Sequence, residues 1–311
     1  MPRRGPIRFS IQIPSALDGD SWVDKVKRAE DCGFYSVSVP DHLGPSLPQL
    51  APLVALGAAA TATSQLRLAV TVLDNDFRHP VMLAKEIATL DVVSNGRVDL
   101  GMGAGWLEED YTKTGVATWD PPGRRVGRLI ESIALVKELL GGESVTFTGE
   151  HYQVHDFRLS PPSVQSPIPL MIGGGGKRML TMAAREADII SVLVKMGGRS
   201  DARRAAFEQQ LGWIMAAGGA GRDDLTVGIR VLFGEVASAG EQRQSVAARI
   251  EGRSGMSAQE LLESPFGLVG DLQSVKDHVL EVNERYGISY FTVSEDLGWQ
   301  VAPAVGELSA S

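Results

Sequence analysis

The feature that most constrains this chain is an alternation that persists over nearly its whole length. Short apolar runs rich in β-branched residues recur at 7–13, 35–39, 66–72, 98–102, 170–172, 188–194, 225–233 and 288–293. Between them lie segments with apolar residues at helical spacing: 21–32, 52–63, 80–93, 123–140, a helix ending near 187, 201–217 and 272–286. Near-continuous apolar strands separated by helices read as parallel strands covered on both faces. Eight of them in that order, with no long linker, predict an α/β fold, a (β/α)8 TIM barrel, for which 311 residues is ample. An open doubly wound sheet is the competing expectation. It needs fewer strands and usually a second domain, whereas the alternation here continues to the C-terminus, so a single domain over 1–311 is expected. Two interruptions stand out. Residues 145–154 alternate around Gly149-Glu150, which predicts a β-hairpin insertion at about 145–160. The Gly- and Ser-dotted stretch 241–264 predicts a helical insertion after strand 7.

A formal net charge of −8 argues against a general nucleic-acid or anionic-membrane surface. The one cysteine, Cys32, sits in an apolar helical pattern, so a packed residue is expected and an intrachain disulfide is impossible. The first residues lack the apolar core of a signal peptide, and no apolar run approaches the roughly 18 residues that span a bilayer. A soluble cytoplasmic protein without nucleic-acid or membrane partners is expected.

In a barrel, chemistry collects at the C-terminal strand ends. Those ends supply Asp41-His42, residues 71–76, 103–106 and 173–178, Lys195, and Ser294-Glu295. The stretch Gly101-Met102-Gly103-Ala104-Gly105-Trp106 fails the dinucleotide fingerprint because Trp106 stands where glycine is needed. Its small residues serve either close strand packing or backbone amides, at Ala104 and Gly105, open to a flat ligand. Gly173-Gly174-Gly175-Gly176-Lys177-Arg178 departs from a P-loop at Met171 and Arg178, yet glycines opening a helix with two cations make an anion site. His42 is suited to proton transfer near neutral pH. Asp74-Asn75-Asp76 finds no further ligands at metal spacing, so no metal is expected. His151 and His155 read as a surface pair on one hairpin face, and Trp119 and Trp299 as packing or pocket-wall residues. No G-x-S-x-G or Cys/His context supports covalent hydrolysis.

Four ordered motifs together carry a family likeness: Val39-Pro40-Asp41-His42, the run from Thr71 to Pro80, the run from Gly96 to Leu107, and the run from Pro169 to Gly176. The chain resembles the luciferase-like monooxygenase superfamily, in its coenzyme F420-dependent oxidoreductase branch. The resemblance implies a deazaflavin or flavin ring across the barrel mouth and a bulge in the third strand, with a cis non-proline peptide at Thr71-Val72. It implies ring contacts at Asp41, Thr71, Val72, Asp74, Ala104, Gly105, Trp106 and Glu109. It implies a phosphate end at Gly173, Gly174, Gly175, Gly176, Lys177, Arg178 and Met179, with His42 as proton donor. Sugar-phosphate dehydrogenases of this branch carry Glu at position 106 and Trp at position 46; this chain has Trp106 and Ser46, which speaks against sugar-phosphate oxidation. The function implied is hydride transfer between F420 and a small organic substrate, in a homodimer. The alternatives are an FMN-dependent luciferase-like monooxygenase and, from another class, a non-catalytic cofactor-binding barrel.

Overall fold

In a computed structural model, residues 2, 4–15, 20–194, 200–254 and 256–309 are described. Lys195, one of the candidate strand-end residues, lies outside them. The principal strands are β1 (Arg8–Gln12), β2 (Ser36–Val39), β3 (Arg67–Val70), β4 (Val98–Gly103), β5 (Leu170–Gly174), β6 (Ile189–Val192), β7 (Thr226–Arg230) and β8 (Ile288–Ser294). They hydrogen-bond in the order β3-β2-β1-β8-β7-β6-β5-β4, and β4 pairs back to β3. Eight parallel strands therefore close into the (β/α)8 TIM barrel. Every residue of β2 and β4 is buried, which is why these strands read as continuous apolar runs rather than alternating ones.

The third strand ends earlier than its sequence suggests. Leu68 and Ala69 pair with Val98 and Asp99, and pairing resumes only at Leu73 with Met102 and Asp74 with Gly103. Four steps on one strand face three on the other, the count of a β-bulge. Within it lies the cis Thr71-Val72 peptide that the family resemblance implies. The glycines of β4 answer to this bulge. A Cβ on Gly101 would stand 1.8 Å from the Val70 carbonyl oxygen, and one on Gly103 would stand 2.6 Å from Val72 Cγ2. Gly173 makes the same allowance, with Val72 Cγ1 at 3.1 Å from its Cβ position. Close packing accounts for these three glycines.

The chain divides into two compact units. One comprises Pro14–Arg28 and Val37–Gly173. It contains most of helix α1 (Trp22–Asp31) and the whole of α2 (Pro52–Ala62), α3 (Pro80–Ser94), α4 (Glu108–Thr112) and α5 (Pro122–Leu140). The predicted hairpin is present as antiparallel Ser144–Thr148 and Gln153–Arg158. Glu131 on α5 anchors it by accepting the amides of His151 and Tyr152. His151 therefore lies in the turn, before the strand that carries His155, and the two do not share a strand face as expected. Cys32, expected to be packed, is only half-buried just beyond α1.

The other unit comprises Met1–Ile13, Ala29–Ser36 and Gly174–Ser311. It contains α6 (Lys177–Glu186), α7 (Ser200–Ala216), α8 (Arg243–Ser254), α9 (Ala258–Glu263), α10 (Leu272–Tyr286) and α11 (Glu295–Ser309). The predicted insertion after β7 is helical, but α8 and α9 pack on a parallel ribbon of Phe233–Val236 and Gly267–Gly270 that alternation alone did not reveal. Helix α11 rests on the outside of β1 and β8. A Cβ on Gly298 would lie 2.6 Å from Ile11 Cδ1 and 3.5 Å from Val293 Cγ2. Among the described residues, no helix is long and apolar enough to cross a membrane.

Candidate active site

The loop after β2 turns on a buried Asp41. Its carboxylate receives Arg78 on both oxygens, at 2.6 and 3.2 Å, and the amide of Asp74 at 3.1 Å. A bidentate guanidinium pair of this kind fixes both partners. Asp41 thus ties the strand-end loop carrying His42 to the segment that follows the bulge, while Thr71 N–H donates to the Val39 carbonyl.

His42 is held from two sides. Its Nδ1 lies 2.7 Å from Asp110 Oδ2, and its ring stands edge-on to the Trp106 indole with centroids 5.4 Å apart. Asp110 is 2% exposed at its side chain and His42 13%. The second carboxylate oxygen of Asp110 accepts the amides of Leu43 and Gly44, so the residue orients ring and loop together. An ionised carboxylate only accepts, so Nδ1 carries the hydrogen and Nε2 is the atom left for exchange with a ligand. Sequence reasoning missed Asp110. It stands as the third of three consecutive acids in α4; Glu109, the acid before it and an expected ring contact, accepts from Lys113 and from the Ser46 hydroxyl. These two contacts, Lys113 first, hold the Glu109 carboxyl below its usual range. Trp106 is 65% exposed, which is unusual for so large an apolar ring.

Ala104 and Gly105 are set from behind. The buried Arg125 of α5 donates Nε to the Ala104 carbonyl at 3.1 Å and Nη2 to that of Gly105 at 3.3 Å, with its guanidinium stacked 3.6 Å over Trp119. Gly105 has φ +73°, and a Cβ there would strike Tyr111 Oη at 2.0 Å and Asp74 Oδ2 at 2.5 Å. Beneath it the Tyr111 hydroxyl donates to the Asp74 carboxyl, 2.7 Å from either oxygen. Burial pushes Asp74 up to about 6, against the opposing pull of the Tyr111 hydrogen bond. Burial first, and Asp74 second, raise the Tyr111 hydroxyl. Asp76, next but one, is taken by Arg128, which also grips Asp120. Among the described residues no three His, Cys, Asp or Glu gather as metal ligands. Trp119 and Trp299 both make ring contacts, with Tyr111 and Phe34 respectively, as packing residues do.

In the other unit, Gly174 to Gly176 lead into α6. Gly176 is the N-cap, no side chain caps the helix start, and a Cβ on Gly176 would meet nothing within 4 Å. Lys177 and Arg178 are exposed beside it, and Met179 turns inward to pack against Gly174. Gln210 of α7 donates to the carbonyls of Gly175 at 2.8 Å and Leu193 at 3.0 Å, fixing the loop. A helix start with no side-chain cap, open space at Gly176 and exposed basic residues beside it has the features of an anion site.

Comparison with known proteins bears on the family and the fold. Residues 7–250 match the family model of luciferase-like monooxygenases. The chain is similar to an F420-dependent glucose-6-phosphate dehydrogenase of Nakamurella multipartita, 36% identical over 195 residues, which is 59% of this chain and 55% of that one. It thus spans about half the length of that curated relative. Among solved structures, it superposes on the monooxygenase RslO1 from Streptomyces bottropensis with a TM-score of 0.76 at 18% identity, over 98% of each chain. The coenzyme F420-dependent tetrahydromethanopterin reductase from Methanopyrus kandleri gives 0.71 at 22%, again over 98% of each chain. These likenesses carry the fold.

Proposed function

Because the chain belongs to the luciferase-like monooxygenase family, we propose that it is a coenzyme F420-dependent oxidoreductase that passes a hydride between the deazaflavin and a small organic substrate. The observation that carries this reading is the His42–Asp110 pair beside the exposed Trp106, placed after β2 and β4 where a barrel does its chemistry. The named relative adds the choice of cofactor. When bound, the deazaflavin supplies the hydride-carrying ring carbon.

The chain's own groups do the rest. His42 holds or moves a proton at Nε2, and Asp110 fixes its ring and stabilises the imidazolium. Trp106 walls the site and excludes water; an indole offers no acid–base group where the sugar-phosphate branch places a carboxylate. Thr71, Val72, Asp74, Ala104, Gly105 and Glu109 are assigned to the ring end, with Asp41 holding their frame. Gly173, Gly174, Gly175, Gly176, Lys177, Arg178 and Met179 are assigned to the phosphate end, supported by the open, uncapped start of α6.

A second reading, FMN-dependent monooxygenase chemistry, draws on the family's own description. Titrating the purified chain with F420 and with FMN separates the two. Tight F420 binding with substrate-dependent, oxygen-independent turnover is the expected result. Tight FMN binding with coupled oxygen uptake would replace it with the second reading. Cofactor binding without turnover, at an affinity unchanged in His42→Ala, would favour a non-catalytic barrel.

The homodimer is part of the same proposal. Helix α2 is apolar nearly all round and leaves Val54 76% exposed, and the outer face of α3 leaves Met82 56%, Val92 43% and Val93 49% exposed among Lys85 and Thr89. A helix apolar on every side is normally covered on every side.

A further inference from the structure

The C-terminal end of β7 carries a side chain that neither the fold nor the site above uses. Arg230 is the last residue of β7 and pairs in register with Thr292 of β8, whose other neighbour is Ser10 of β1. The next residues along those two strands, Ile11 and Val293, face α11 through Gly298. Alternation along a strand therefore turns Ser10, Thr292 and Arg230 to the opposite, inner face. The inner face at the C-terminal strand ends is the ligand side of this fold.

Three other arginines meet carboxylates. Arg78 meets Asp41, Arg128 meets Asp76 and Asp120, and Arg67 meets Asp99. Arg230 is different: among the described residues its side chain has no hydrogen bond, ion pair or ring contact. Arg230 is an exposed residue at the strand end, and desolvation lowers its pKa from the usual arginine range. On the same face, the Ser10 hydroxyl is fully buried and without a partner. A partly desolvated guanidinium is unfavourable until an anion completes it, and its planar fork matches a carboxylate or a phosphate.

We propose that Arg230 binds the anionic group, carboxylate or phosphate, of a small substrate at the inner end of β7. Calling the ligand a substrate rests on the oxidoreductase reading; the anion site itself does not. In the full chain with isotope-labelled arginine, the Nε–H resonance missing from Arg230→Gln identifies Arg230. With F420 in excess, inorganic phosphate and acetate are then added separately. A saturable shift of that resonance is expected with at least one of them, and the one that acts names the group. Arg230→Lys should weaken that anion by about tenfold and Arg230→Gln by more, with F420 affinity held within about twofold. No saturable shift with either anion overturns the proposal. So does a tenfold loss of F420 affinity in both variants, because Arg230 then belongs to the cofactor's tail. A chain that binds no F420 but whose Arg230 resonance still titrates with phosphate retains the anion site and loses the cofactor reading.

Discussion

Asp110 is a buried carboxyl group and Asp74 a half-buried one, and they answer to different partners. Asp110 answers to His42, and replacing it by Asn keeps its shape while removing the charge that orients the ring. Asp110→Asn should lower kcat by about 100-fold and move the pH dependence of kcat, leaving F420 affinity within about twofold; an unchanged pH profile would reduce Asp110 to a loop anchor. Asp74 answers to Tyr111. Its folded pKa of about 6 lies above its ordinary 3.8, so the folded state binds the proton more tightly. Its stabilising contribution is complete below the ordinary value and is lost as the pH rises through about 6. Asp74→Asn still accepts from Tyr111 but cannot ionise. From about pH 4 to about pH 8, urea unfolding should move in favour of Asp74→Asn by on the order of 2 kcal/mol relative to the original chain; parallel curves would contradict the burial of this group. His42 was legible in the sequence because it follows a strand directly. Asp110 was not, since 68 positions separate the pair and only the barrel closes that distance.

At the scale of elements, the glycines sort into two kinds that look alike in sequence. Gly101 faces the Val70 carbonyl, so Gly101→Ala should destabilise the chain by at least about 3 kcal/mol in denaturant unfolding. Gly176 faces open space at φ −81°, so Gly176→Ala should leave stability within about 1 kcal/mol and weaken cofactor binding instead. The opening reading of the glycine stretch allowed both close packing and a flat ligand floor. The bulge accounts for Gly101 and Gly103, while Gly105 is demanded by its positive φ and by Tyr111 beneath it. The hairpin was readable because its alternation and turn residues agree locally. Helix α11 was not read, because Gly298, Pro303 and Gly306 interrupt its pattern and packing against β1 and β8 overrides them. The ribbon of Phe233–Val236 and Gly267–Gly270 was hidden for a related reason: its partners are far apart in sequence and one is bounded by glycines.

At the scale of the whole molecule, the exposed apolar faces of α2 and α3 predict association. Sedimentation should find a dimer for the original chain and a monomer for Met82→Glu combined with Val54→Glu, with the circular dichroism of the two alike; a monomeric original chain would end that proposal. The barrel as a whole was legible because eight apolar runs separated by helices admit few closures. Where its seam lies was not, because closure joins β3 to β4 across a bulge that interrupts the strand. That single extra residue acts on the chain like a frameshift confined to one strand. Side chains alternate between faces, so Leu73 and Asp74 sit on the sides they occupy only because the count before them is off by one. Substitution at Thr71 or Val72 changes a surface, but deletion of either would exchange inside for outside at Leu73 and Asp74. Tolerance of altered letters and intolerance of altered length is therefore the pattern of variation this segment should permit.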